Sequence, residues 1–169
     1  MKERIFLIGF MGSGKTTLGS RLARKMGYDF VDMDQLIEET AGMSVQEIFT
    51  EHGEKVFRKW EHDILLELTQ RKKIVVSTGG GAPCYGDMMS IMKSAGQTVY
   101  IKLSPEALKD RLTHSKTKRP LIKGKSGEEL MEFISTLLEE REAYYNQAKF
   151  IIDGMNLTPD QLAVHLKES

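Results

Sequence analysis

Eight consecutive residues near the start of the chain restrict its fold more than any other stretch. Gly9-Phe10-Met11-Gly12-Ser13-Gly14-Lys15-Thr16 satisfies the pattern G-x-x-x-x-G-K-[ST] at every fixed position. The apolar run Arg4–Ile8 before it reads as a buried strand. Lys15–Met26 after it repeats Leu18, Leu22 and Met26 at helical spacing, with Gly27 as its stop. Strand, glycine turn and helix in that order curl backbone N–H groups around an anion and aim a helix N-terminus at it. Lys15 can reach the β- and γ-phosphates, and Thr16 can offer its hydroxyl to Mg²⁺. The stretch predicts binding of ATP or GTP, with Gly12, Ser13, Gly14, Lys15, Thr16 and Thr17 around the phosphates.

What accepts the phosphoryl group is a separate matter. The guanine-reading N-K-x-D pattern of a GTPase switch is absent, and Ile74–Ser77 runs into Thr-Gly-Gly-Gly rather than ending in the Asp of a motor ATPase. A small-molecule or nucleotide kinase remains. At 169 residues the chain reads as one domain, 1–169, able to bury a core without staples. Lys plus Arg equal Asp plus Glu at 24 each, so the basic excess of a nucleic-acid or membrane-surface binder is missing. The lone Cys84 excludes an internal disulfide, and the four scattered histidines offer no metal pairing. With no apolar run of membrane length and no signal pattern after Met1, a cytoplasmic, monomeric protein is expected.

Strands and helices alternate onward, predicting an α/β fold with a parallel sheet. Strands are expected at Tyr28–Asp32, Ile74–Ser77, Thr98–Leu103 and Phe150–Ile152. Helices are expected up to Gly42, from the Ser44/Glu47 capping box, over Glu54–Arg71 beyond Gly53, after Ser104-Pro105, from Ser126/Glu129 to Gln147, and from Thr158-Pro159. Met88, Met89 and Met92 are expected to pack in the core or at its edge.

Asp32-Met33-Asp34 follows the second strand at the end where open α/β sheets bind ligands. Two acids there can order a hydrated Mg²⁺ and accept hydrogen bonds from a hydroxylated substrate; equally, one can cap the next helix. Six features in register then give a resemblance: the Gly9–Thr16 loop, Asp32-x-Asp34, Phe57-Arg58-x-x-Glu61, Ser77-x-Gly79-Gly80-Gly81, Arg119-Pro120-Leu121 and Arg141-x-x-x-Tyr145. Together they resemble the shikimate kinase family, from about residue 4 to residue 159. The resemblance implies a three-layer P-loop fold with a five-stranded parallel sheet, a substrate-binding segment about 33–61 and a mobile lid about 112–125. It implies transfer of the γ-phosphoryl of ATP to the 3-hydroxyl of shikimate, with Mg²⁺ as cofactor.

Carried over residue by residue, the resemblance makes Lys15, Asp34 and Arg119 the catalytic set, with Asp34 on the shikimate hydroxyls as candidate base. Thr16 would bind Mg²⁺ directly and Asp32 through water. Arg58 and Arg141 would hold the carboxylate, Gly79, Gly80 and Gly81 would complete the pocket, and Phe49 and Phe57 would wall the ring. Arg119 would reach the transferring phosphate from the lid, and Arg111 and Pro159 would flank the adenine. One departure is plain. Where the family commonly has a small and then an aliphatic residue, Ala82 is followed by Pro83 and Cys84, and Pro83 removes a backbone donor just past the pocket.

Other readings accompany these. Arg58 has Glu54 and Glu61 at helical spacing and could be a surface ion-pair residue, or Glu61 could fix it for a ligand. The segment His114–Lys125 carries Lys116, Lys118, Arg119, Lys123 and Lys125 without an acid; without interleaved aromatics, closure over a triphosphate fits it better than a nucleic-acid patch. Gluconate, another carboxylated polyol, is the rival acceptor, and an ATP-binding regulator without transfer is the rival class.

Overall fold

The structure, a computed structural model, describes residues 3–116 and 119–167. Five strands, β1 (Arg4–Ile8), β2 (Asp29–Asp32), β3 (Ile74–Ser77), β4 (Gln97–Lys102) and β5 (Phe150–Asp153), form one parallel sheet in the order β2-β3-β1-β4-β5. Central β1 is sealed on both faces, which explains its unbroken run of apolar residues, Ile5 to Ile8.

Alternate side chains serve two helical layers. Ile5, Leu7, Val75, Val99 and Ile101 pack with Leu18 and Leu22 of α1 (Lys15–Met26) and Leu162 and Leu166 of α7 (Pro159–Lys167). Phe6, Ile8, Val76 and Tyr100 pack on the other face, among residues of α2 (Met33–Ala41), α3 (Val45–Leu68), α4 (Met88–Ala95), α5 (Pro105–His114) and α6 (Gly127–Tyr145). The layering is the expected P-loop arrangement.

Local signals account for most boundaries. The Ser44/Glu47 capping box forms, Ser104 caps α5, and Thr158 exchanges bonds with Gln161 ahead of α7. Gly53, at φ 84°, kinks α3. Ser126 does not cap α6 through its side chain, because Gly127 enters the helix at φ 54° instead of in regular geometry. Tyr28 and Leu103 lie just outside the strands predicted to include them, and α3 and α6 stop short of Arg71 and Gln147. A 3-10 turn at Ala82–Cys84 and then α4 fill the stretch left unassigned after the glycines. Pro83 sits in the first turn, where a missing N–H needs no partner. Met88, Met89 and Met92 are buried on α4, as expected. Among the described residues no helix is long and apolar enough to cross a membrane.

Candidate active site

The loops leaving the carboxyl ends of β1, β2 and β3 enclose a crevice of about 490 Å³. That volume lies within the ~300–1,000 Å³ usual for small-molecule sites. Gly12 and Gly14, at φ 80° and 93°, give the first loop the left-handed turns it needs before α1. Lys15 is buried and donates from Nζ to the carbonyls of Gly9, at 2.6 Å, and Phe10, at 3.0 Å. Burial lowers its pKa to about 8, against the opposing pull of Asp34. Thr16 and Thr17 line the crevice, whereas the Ser13 hydroxyl is buried without a partner, so Ser13 has its backbone to offer.

Thr16 Oγ1 donates to Asp32 Oδ2 at 3.0 Å, and the other Asp32 oxygen accepts from the Gln35 N–H at 3.2 Å. Asp32 therefore caps α2 with one oxygen and reaches the phosphate loop with the other. Among the described residues no group of three or more His, Cys, Asp or Glu could hold a metal. A hydroxyl and a carboxylate beside a phosphate pocket nevertheless fit Mg²⁺, which takes one or two protein oxygens and fills its shell with water and phosphate. Asp34, two residues on, is half-buried; burial raises its pKa, with Asp32 adding to the rise and Lys15 opposing it.

The three glycines after β3 bring the acceptor side together. A Cβ on Gly79 would lie 2.9 Å from Asp34 Oδ1 and 3.3 Å from Glu61 Oε2. On Gly80 it would lie 3.0 Å from Arg141 Nη1, and on Gly81 2.8 Å from Arg58 Nη2 and 3.4 Å from Arg141 Nη2. A side chain at any of the three would have to push aside a group that closes on this backbone from one of three helices. Two guanidiniums, 83 positions apart in sequence, thus reach one point.

Arg58 Nη1 donates to Glu61 Oε1 at 3.0 Å, and Glu54 lies 3.5 Å from Nε. Burial lowers the Arg58 pKa, but Glu61, Tyr85 and Glu54 outweigh it and keep the group charged. Glu61 is 1% exposed, and burial pushes it up to about 7 against the pull of Arg58. Arg141 Nη1 is buried with no partner. Tyr145 donates from its hydroxyl to the Gly80 carbonyl and so ties α6 to the glycine turn. Phe49 and Phe57 stack at 4.7 Å, Phe57 buried and Phe49 at the surface.

Arg111 and Arg119 line the phosphate crevice; Arg119 Nε is buried and unpartnered, and burial lowers its pKa while Asp34 raises it. Pro159 opens α7 and is not among the crevice-lining residues. In the lid segment a 3-10 turn spans Pro120–Ile122, and residues 117 and 118, hence Lys118, lie outside the described residues. Sequence reasoning passed over Tyr85, whose ring centroid is 3.8 Å from Arg58 Cζ; an aromatic two residues beyond Pro83 was the available signal. Tyr145 was seen in its motif but given no role.

The family model for shikimate kinase matches residues 11–169. The chain belongs to the shikimate kinase family. It is 46% identical over 154 residues to a shikimate kinase of Bacteroides thetaiotaomicron, covering 91% of this chain and 88% of that one. The crystal structure of the shikimate kinase from that organism superposes with a TM-score of 0.87 over 89% of this chain and 86% of its own. A shikimate kinase from Acinetobacter baumannii in complex with shikimate, 34% identical, gives 0.86 over 99% of this chain and 94% of its own.

Proposed function

We infer that the protein transfers the γ-phosphoryl group of ATP to the 3-hydroxyl of shikimate, giving shikimate 3-phosphate and ADP, in the route to chorismate and the aromatic amino acids. Family membership supports the activity. The observation that carries the acceptor is the meeting of Arg58 and Arg141 at Gly81, with Asp34 beside them at Gly79. Paired guanidiniums suit a planar carboxylate, to which each can donate parallel hydrogen bonds.

In this reading Lys15 leaves the carbonyls of Gly9 and Phe10 for the phosphate oxygens, while the loop N–H groups from Gly12 to Thr17 hold the chain of phosphates. Arg119 meets the charge on the transferring group, and Arg111 flanks the base, with Pro159 on its far side. Thr16 would hold Mg²⁺ directly and Asp32 through water, and the ion would supply charge neutralisation at the phosphoryl oxygens. Asp34 orients the attacking hydroxyl and takes its proton at a carboxylate oxygen; burial already favours its protonated form. Phe49 and Phe57 wall the ring, and Gly80 and Gly81 offer their N–H groups. The catalytic gain comes from positioning and charge neutralisation rather than covalent chemistry.

The whole chain, 1–169, works as one domain, with 33–61 binding the acceptor and 112–125 closing as a lid. It acts as a cytoplasmic monomer without nucleic-acid or membrane partners. A coupled ADP-release assay tests the activity: steady turnover is expected with shikimate and not without it. Equal turnover with gluconate, or ATP binding with no turnover on any acceptor, would overturn the reading.

A further inference from the structure

Beyond Gly81 the chain turns tightly and delivers an aromatic ring to the acceptor side, against Arg58. Pro83 sits in the 3-10 turn Ala82–Cys84, and the Tyr85 N–H closes that turn on the Ala82 carbonyl. The Tyr85 carbonyl in turn accepts from the Met88 N–H at the start of α4, so the residue is fixed at both ends. Its ring lies 3.8 Å from Arg58 Cζ, while Phe57 lies 5.1 Å from it. The ring is 39% exposed and the Arg58 side chain 18%, so the ring stands between much of the cation and water. The Tyr85 hydroxyl holds the Glu54 carboxyl below the ordinary carboxylate range, and Glu54 itself flanks Arg58 Nε.

We propose that Tyr85 is a positioning residue for shikimate: its ring, held by the turn on either side of it, clamps the Arg58 guanidinium so that Nη2 points at the substrate carboxylate beside Gly81. The proposal rests on the reading of Arg58 and Arg141 as the carboxylate clamp. A guanidinium has two faces and an edge. Tyr85 and, farther off, Phe57 lie against the cation, Glu61 accepts from Nη1, Glu54 pairs with Nε at 3.5 Å without a hydrogen bond, and Nη2 is left toward Gly81. Cation–π stacking fixes the plane without using a donor, so the edge stays free for the ligand.

Tyr85→Leu, which keeps bulk and loses the π face, should raise the KM for shikimate by about five- to tenfold. Its kcat and its KM for ATP should stay within about twofold of native. Tyr85→Phe should bind shikimate nearly as the native protein does. In an Arg58→Ala background, Tyr85→Leu should add less than about twofold, since it acts through Arg58. A native shikimate KM in Tyr85→Leu, with Arg58→Ala impaired, would sink this proposal and leave the clamp standing. Additive losses, or equal damage to ATP and shikimate parameters with a lowered melting point, would also overturn it. A native shikimate KM in Arg58→Ala would remove the clamp and the proposal together.

Discussion

In the phosphate half of the crevice, Lys15 rests on carbonyls of its own loop, whereas the acceptor half holds Arg141 Nη1 buried and without a partner. Lys15 must exchange two hydrogen bonds for those of its ligand, while Ser13 Oγ and Arg119 Nε beside it are buried without partners. The acceptor side keeps like charges together and a donor unpaired, which costs stability until an anion arrives. Their surroundings differ accordingly. One turn and the helix after it build the cradle, while α2, α3, the glycine turn and α6 must all be docked before the clamp exists. One half trades hydrogen bonds within its own loop for those of a phosphate; the other gathers two guanidiniums that an anion would satisfy.

Asp34 stands between the halves, and its replacement should have the largest effect. Asp34→Asn keeps shape but removes charge and proton acceptance, so kcat should fall by about 10²–10⁴. Binding of a fluorescent nucleotide should stay near native, and surviving turnover would make the carboxylate dispensable. Lys15→Ala should lower kcat by about 10²–10³ through lost charge stabilisation while shikimate affinity is retained. A loss of shikimate affinity as large as the loss in kcat would mean that the halves are not separable.

A smaller effect comes from pH. Free Lys15, lowered to about 8 by burial, loses above that pH the proton that a triphosphate needs. ATP affinity measured by calorimetry should therefore weaken as pH rises through 8, by up to about tenfold per unit. Lys15→Arg, which stays charged, should flatten that slope, and an equal slope in both proteins would place the titration elsewhere.

The smallest effect concerns Glu61 and stability. Between pH 4.5, its ordinary value, and about 7 the unfolded chain has released a proton that folded Glu61 keeps, so stability contributed here falls as pH rises. Relative to native, Glu61→Gln should gain on the order of 2–3 kcal/mol between pH 5 and pH 8, seen as a melting-point difference that widens by several degrees. Asp34 shifts the same way but is present in both proteins. A difference that stays constant across that range would contradict the buried carboxyl.

The cradle was legible because its eight residues are contiguous and their geometry is local, as were the Gly27 stop and the Ser44 capping box. The approach of Arg58 and Arg141 could not be read from spacing, since only the folded helices set it; the family resemblance supplied that pair in advance. Asp32 was ambiguous in sequence because its two oxygens face different ways, one capping α2 and the other accepting from Thr16. Ser126 stands at the start of α6 as expected, but without the side-chain cap that its spacing to Glu129 suggested. Tyr85 was missed because a residue in a turn has no periodicity to reveal which way its ring faces. Pro159 entered on resemblance alone, and it is not among the residues that line the crevice.

Comparing shikimate with its amide tests the acceptor half most directly, because the amide keeps every hydroxyl and removes the charge. The native protein should prefer the acid by at least about tenfold in kcat/KM, equivalent to about 1.4 kcal/mol. Arg58→Ala and Arg141→Ala should each erode that preference, and the double variant should lose less than the sum, because both act on one group. Equal use of acid and amide by the native protein, or a preference that survives both single changes, would contradict the clamp.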